Sequence, residues 1–70
     1  MPLAIAPVGQ EMTIMKISTD EKTRRHLEDL GIIVGGKIKV SSDLSGNLVI
    51  TIKDCRMALD KGLAMKIHVS

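Results

Sequence analysis

From Arg24 to Val40 the chain changes its repeat once, and that change limits what it can fold into. Thr19 stands where a side-chain oxygen can cap a helix, and Asp20 and Glu21 follow in the first turn, where negative charge suits the helix dipole. Leu27 and Leu30 lie three apart on one face, and Gly31 supplies the left-handed residue that stops the helix. An apolar turn, Ile32-Ile33-Val34, runs into Gly35-Gly36. Lys37-Ile38-Lys39-Val40 then alternates with period two, as a half-buried strand does. The spacing predicts a helix over about 20–30, closed by glycine and feeding a strand.

The rest of the chain supplies four more strands. Met12 to Ile17 is the first, with Met12 and Ile14 on one face and Met15 and Ile17 on the other, a conflict that a bulge reconciles. The strand from Lys37 runs to about Ser42 with Ile38 and Val40 inward, and Ser41 to Asn47 reads as a turn-rich loop. Leu48, Ile50 and Ile52 alternate inward, leaving Thr51 and Lys53 outward. A short strand holds Met57, Ala58 and Leu59; Asp60 caps a helical turn through Gly62-Leu63-Ala64; Ile67 to Val69 closes the sheet. The expected fold is mainly β. It is a small five-stranded barrel with one α-helix inserted after the first strand and a short helical turn before the last, in one domain over 1–70. With no Phe, Tyr or Trp the core must be aliphatic. Each buried aliphatic side chain contributes roughly 1.5–3 kcal/mol against an ordering cost of about 1–2 kcal/mol per residue. A barrel suits so close a balance because it leaves few bare strand edges.

The charges exclude several functions. Ten Lys and Arg face eight Asp and Glu, a net of +2, and on the helix the signs are interspersed. No basic stripe marks a nucleic-acid surface, and without aromatics there is no platform for base stacking, so no nucleic-acid partner is expected. The single Cys55 has no partner for an internal disulfide, as suits a reducing cytoplasm. Met1 to Ala6 lacks a basic leader and is interrupted by Pro7, and no apolar run nears the roughly 20 residues of a membrane helix. A cytoplasmic protein without direct membrane insertion is expected.

Chemistry-bearing motifs are absent. His26 and His68 are the only histidines, and neither they nor Cys55 stand at a metal-ligand spacing. Gly35-Gly36-Lys37 lacks the spacing and following helix of a phosphate loop, and no carboxylate pair sits in an apolar context. Serines and threonines at Ser18-Thr19 and Ser41-Ser42 are explained by cap and turn chemistry. No catalytic residue, resident metal or cofactor is expected.

The run Leu27-x-x-Leu30-Gly31-Ile32-x-x-Gly35 feeding Lys37-x-Lys39-Val40 resembles the FeoA family of small cytoplasmic partners in ferrous-iron transport. Ala6-Pro7-Val8-Gly9 with Met12-Thr13-Ile14, then Leu48 to Lys53 with Arg56-Met57-Ala58-Leu59, then Ala64 to Val69, resemble the family's remaining strands in order and spacing. Two departures stand out. Val34 occupies a position where the family usually has Pro, and Asp54-Cys55 a place where it often has a Gly-containing turn, so that hairpin is expected to be looser or longer. The resemblance implies an SH3-like barrel and, as partner, the membrane ferrous-iron transporter FeoB with its cytoplasmic GTP-hydrolysing domain. The same barrel closes iron-dependent repressors of the diphtheria-toxin-regulator type, so a freestanding regulatory domain of that kind is the alternative. A metal-carrying chaperone would suit the biology but not the ligand inventory.

What remains is surface. Leu27, Leu30, Ile32 and Ile33 gather at the helix end, rimmed by Arg24 and Arg25 and by Glu28 and Lys37. They either seal the helix onto the barrel or dock a partner. Ile32 and Ile33 are adjacent, so at least one is expected to face solvent. Met57, Leu63 and Met65 form a second candidate patch of flexible side chains, with core filling as the alternative role. Either patch could also serve a homo-oligomer.

Overall fold

Five antiparallel strands carry the fold in the computed structural model, which describes residues Met1–Ser70. They are β1 (Glu11–Ile17), β2 (Lys37–Leu44), β3 (Asn47–Ile52), β4 (Cys55–Asp60) and β5 (Ile67–Val69), hydrogen-bonded in the order β4-β3-β2-β1-β5. Helix α1 (Glu21–Asp29) is inserted between β1 and β2, and the single turn α2 (Lys61–Ala64) precedes β5. The class, the strand count and both helix positions are those expected from the sequence. No helix is long and apolar enough to cross a membrane.

Period-two alternation decides the core. Ile38 and Val40 of β2, Leu48, Ile50 and Ile52 of β3, and Ile67 of β5 are all buried, and no polar side chain is buried with them. In β1 the burial runs through Met12 and Ile14, skips two residues and resumes at Ile17. The pairing of β1 with β5 shifts register between Ile14 and Lys16, so a bulge does turn Ile17 inward and Met15 outward. A 3-10 turn at Leu3–Ile5 adds fully buried Leu3 to the core. The Val69 N–H donates to the Met1 carbonyl (2.7 Å), which ties the N-terminus to the β5 edge and blunts it.

The helix starts one residue later than the sequence suggests. Asp20, not Thr19, is the N-cap: its carboxylate accepts from the Thr23 N–H (3.1 Å) and hydroxyl (2.7 Å), and the Thr19 hydroxyl donates to it as well (3.1 Å). A carboxylate accepts all three bonds at once, which a hydroxyl at Thr19 could not. The Thr23 hydroxyl first, then the Thr23 N–H, hold the Asp20 pKa at about 2, below the ordinary 3.8. A depressed carboxyl pKa stabilises the fold above the ordinary value, and that share is lost as pH falls from 3.8 toward about 2. Thermal melts over this window are expected to fall more steeply for the wild type than for Asp20→Asn, which cannot titrate. Equal slopes would assign the acid sensitivity elsewhere.

Two connections are tighter than the sequence reading. Ser41 to Asn47 is not a loop: β2 continues to Leu44 and turns through Ser45-Gly46, with Leu44 opposite Asn47. Polar residues occupy strand positions here because this end of the hairpin is solvated. Ser41 and Thr51 share a hydroxyl hydrogen bond (2.6 Å), and Lys61 pairs with Asp43 (2.6 Å). The β3–β4 hairpin is likewise neither loose nor long. Cys55 lies directly opposite Ile52 across the two-residue turn Lys53-Asp54. Lys53, not Asp54 or Cys55, takes the positive φ, at 55°. Two-residue hairpins need that conformation at a central position to match the twist of their strands.

Candidate functional site

The connection from α1 to β2 is built by two backbone devices. At the helix end the Ile32 N–H donates to the Leu27 carbonyl (2.9 Å) and the Gly31 N–H to the Glu28 carbonyl (2.9 Å), with Gly31 at φ 96°. This is a Schellman motif, which ordinarily brings the residue after the glycine onto the apolar residue five positions earlier. Here those residues are Ile32 and Leu27, both buried. The second device is the turn Ile33 to Gly36, closed by the Gly36 N–H on the Ile33 carbonyl (3.0 Å), with Gly35 at φ 89°. A positive φ at the third residue is the mark of a type II turn, whose second position favours Pro. Val34 fills that second position. The Gly35 N–H also donates to the Ile14 carbonyl (2.8 Å), so the turn is anchored to β1.

The consequence is a division of the apolar cluster. Leu27 and Ile32 belong to the core and cannot meet a partner, which removes them from the candidate docking set. Leu30 caps the helix at 42% exposure, Ile33 is 47% exposed and Val34 59%. Ile33 forms one wall of a groove of about 480 Å³, together with Glu28, Lys37, Lys39, Thr51 and Lys53. Arg24 and Arg25 are exposed on α1 but do not line this groove. Arg25 is held by Glu21 (2.7 Å) one helical turn away, an exposed pair worth about 0.3–0.5 kcal/mol.

Lys39, Thr51 and Lys53 were not singled out from the sequence. Their placement follows from alternation: Lys37 and Lys39 are the outward residues of β2, and Thr51 lies opposite Lys39 on β3. The residues of the second candidate patch differ in burial. Met57 and Leu63 are half-buried against the core and Met65 is exposed. Only Leu63 of the three reaches the shallow depression between the starts of α1 and α2. His26, His68 and Cys55 stand on α1, β5 and β4, and no three His, Cys, Asp or Glu side chains gather where a metal ion could be held.

The FeoA domain model matches residues 1–70. The chain belongs to the FeoA family. It is 38% identical over 68 residues to a protein of Methanocaldococcus jannaschii named for Fe(2+) transport (transport protein A), covering 97% of this chain and 83% of that one. It also superposes on the crystal structure of an iron uptake regulatory protein, FeoA, with a TM-score of 0.90 at 27% identity, covering 100% of this chain and 93% of that chain. A manganese-dependent transcriptional repressor shares the fold: TM-score 0.85, 21% identity, 96% of this chain but 39% of that chain. The chain also superposes on the crystal structure of a Stenotrophomonas maltophilia FeoA described as an SH3 domain protein, with a TM-score of 0.77 at 20% identity, covering 100% of this chain and 89% of that chain. The SH3-like fold that the resemblance implied therefore holds. The likeness to the repressor extends to fold alone.

Proposed function

We propose that this FeoA-family chain is a cytoplasmic accessory of ferrous-iron transport that acts by docking on the membrane transporter FeoB, without catalysis of its own. The observation that carries the reading is the split at the α1–β2 connection: Ile32 is fully buried while Ile33, its neighbour, is 47% exposed on a hydrogen-bonded turn. An apolar side chain presented on a rigid turn and rimmed by Glu28 and Lys37 has the composition of a small interface with a polar rim. Family membership supports the transport context, with ferrous iron as the transporter's cargo. The chain offers no constellation for acyl, phosphoryl or redox chemistry, so its effect on the transporter would come from binding energy spent on nucleotide cycling or assembly.

The test is calorimetric titration of the chain into the purified cytoplasmic region of FeoB, with GTP hydrolysis followed in parallel. Saturable binding is expected, and its absence would overturn the reading. The second reading, a freestanding regulator related to the repressor barrel, draws on the fold match to the manganese-dependent repressor. It requires capture of a DNA-binding partner in place of the transporter.

A further inference from the structure

The groove beside Ile33 has a chemical character of its own. Three lysines, Lys37, Lys39 and Lys53, line it from β2 and from the β3–β4 turn, together with two glutamates, Glu11 and Glu28. None of the five is in an ion pair: the two salt bridges of the molecule, Arg25–Glu21 and Lys61–Asp43, lie elsewhere. Glu11 is opposite Lys39 across the β1–β2 pair yet does not close on it. Lys37 donates to the neutral hydroxyl of Thr13 (2.7 Å), which leaves its charge uncompensated. The apolar part of the wall comes from Ile33, with Ile38 and Ile52 behind it.

Lys53 offers a position where the groove's charge can be changed without harming the fold. It is the only non-glycine residue at positive φ, in a turn where glycine would sit without strain. A lysine there costs some stability relative to glycine, at a position where the hairpin's twist requires a positive φ. The strained residue is also one of the three cations of the groove.

We propose that this groove receives an acidic segment of the partner, its carboxylates facing Lys37, Lys39 and Lys53 and one apolar side chain seated against Ile33. This rests on the docking reading above and names the chemistry of the partner's docking segment. Three lysines against two glutamates give the lining one net positive charge, which distinguishes it from a plain apolar groove.

The experiment titrates wild type, Lys39→Gln, Lys53→Gly, their double variant and a control, Lys22→Gln outside the groove, into the purified cytoplasmic region of FeoB. Each groove variant is expected to weaken binding by about 2–5-fold and the double by about 10-fold, with the control unchanged. Raising salt from about 0.05 to about 0.5 M should weaken the wild type more than the double variant. Lys53→Gly is expected at the same time to raise the melting temperature by a few degrees, so lost binding cannot be blamed on a lost fold. Hydrogen exchange on the transporter region should place the protected segment in an acidic stretch. Binding that survives both lysine changes with its salt dependence intact, or protection confined to neutral or basic segments, overturns the acidic-segment proposal while docking stands. No binding by the wild type overturns both.

Discussion

Replacing Ile50 with Ala is expected to cost about 2–5 kcal/mol. Ile50 is fully buried at the middle of β3, opposite Val40 on one side and Met57 on the other, so it touches both halves of the sheet's interior. A core of this size rarely supplies more than about 3–5 kcal/mol of net stability, so the loss rivals the total. The milder Ile50→Val, which removes one methylene, should cost about 0.5–1.5 kcal/mol and leave the protein folded. Ile5→Ala, at 67% exposure, should change little. Urea titration orders the three, and the midpoint should fall most for Ile50→Ala at unchanged slope. A loss near zero for Ile50→Ala would mean that the alternation on β3 points the other way.

That alternation is why most of the fold was legible. Ile38, Val40, Leu48, Ile50 and Ile52 recur every second residue, and a one-residue slip would put the whole set in water. The bulge in β1 was legible for a related reason, since Met12, Ile14 and Ile17 cannot all face one way on a regular strand. Leu3 was missed because a three-residue 3-10 turn has no period to read; its burial is decided by β5 and α2 packing against it. Ser41 to Asn47 was misread as loop because its polar composition resembles a turn. The strand persists there because Ser42 and Asp43 pair with Val49 and Leu48 across the tight turn Ser45-Gly46. The strain at Lys53 was invisible because it belongs to the twist of the hairpin rather than to any local preference of lysine.

The proposed docking face was half legible. Leu27 and Leu30 are three apart and read as one stripe, but α1 ends at Asp29, so Leu30 already belongs to the departing chain. The missing step lay in the sequence itself. Gly31 ending the helix places Ile32 on Leu27 by the geometry of the Schellman motif, which leaves Ile33 as the residue free to face outward. The groove cations needed the register of β2 against β3 as well, and register is a tertiary fact.

From that geometry, Ile32→Asp and Ile33→Asp are expected to behave as opposites although they change neighbouring isoleucines to the same residue. At position 32 the new carboxylate would lie in a fully buried apolar site against Leu27 with no partner, a desolvation cost of several kcal/mol that this small core cannot absorb. The expected result is an unfolded or acid-requiring protein, visible as loss of the melting transition at neutral pH. At position 33 the side chain is 47% exposed, so the carboxylate keeps its water and the melting temperature should move little. Its effect is expected at the proposed interface. An apolar anchor at the centre of a docking surface typically accounts for 2 kcal/mol or more, so affinity for the transporter's cytoplasmic region should fall by about 30-fold. The drop should be steeper still if the bound segment is acidic, because the new charge repels it. Ile33→Ala separates the two contributions: it removes the anchor without adding charge, and the difference between Ala and Asp measures the sign of the partner's field. A folded Ile33→Asp that binds as tightly as the wild type would move the interface off the α1–β2 turn. A collapsed melting temperature for Ile33→Asp would make Ile33 a core residue in solution, and the docking surface would have to be sought around Met65.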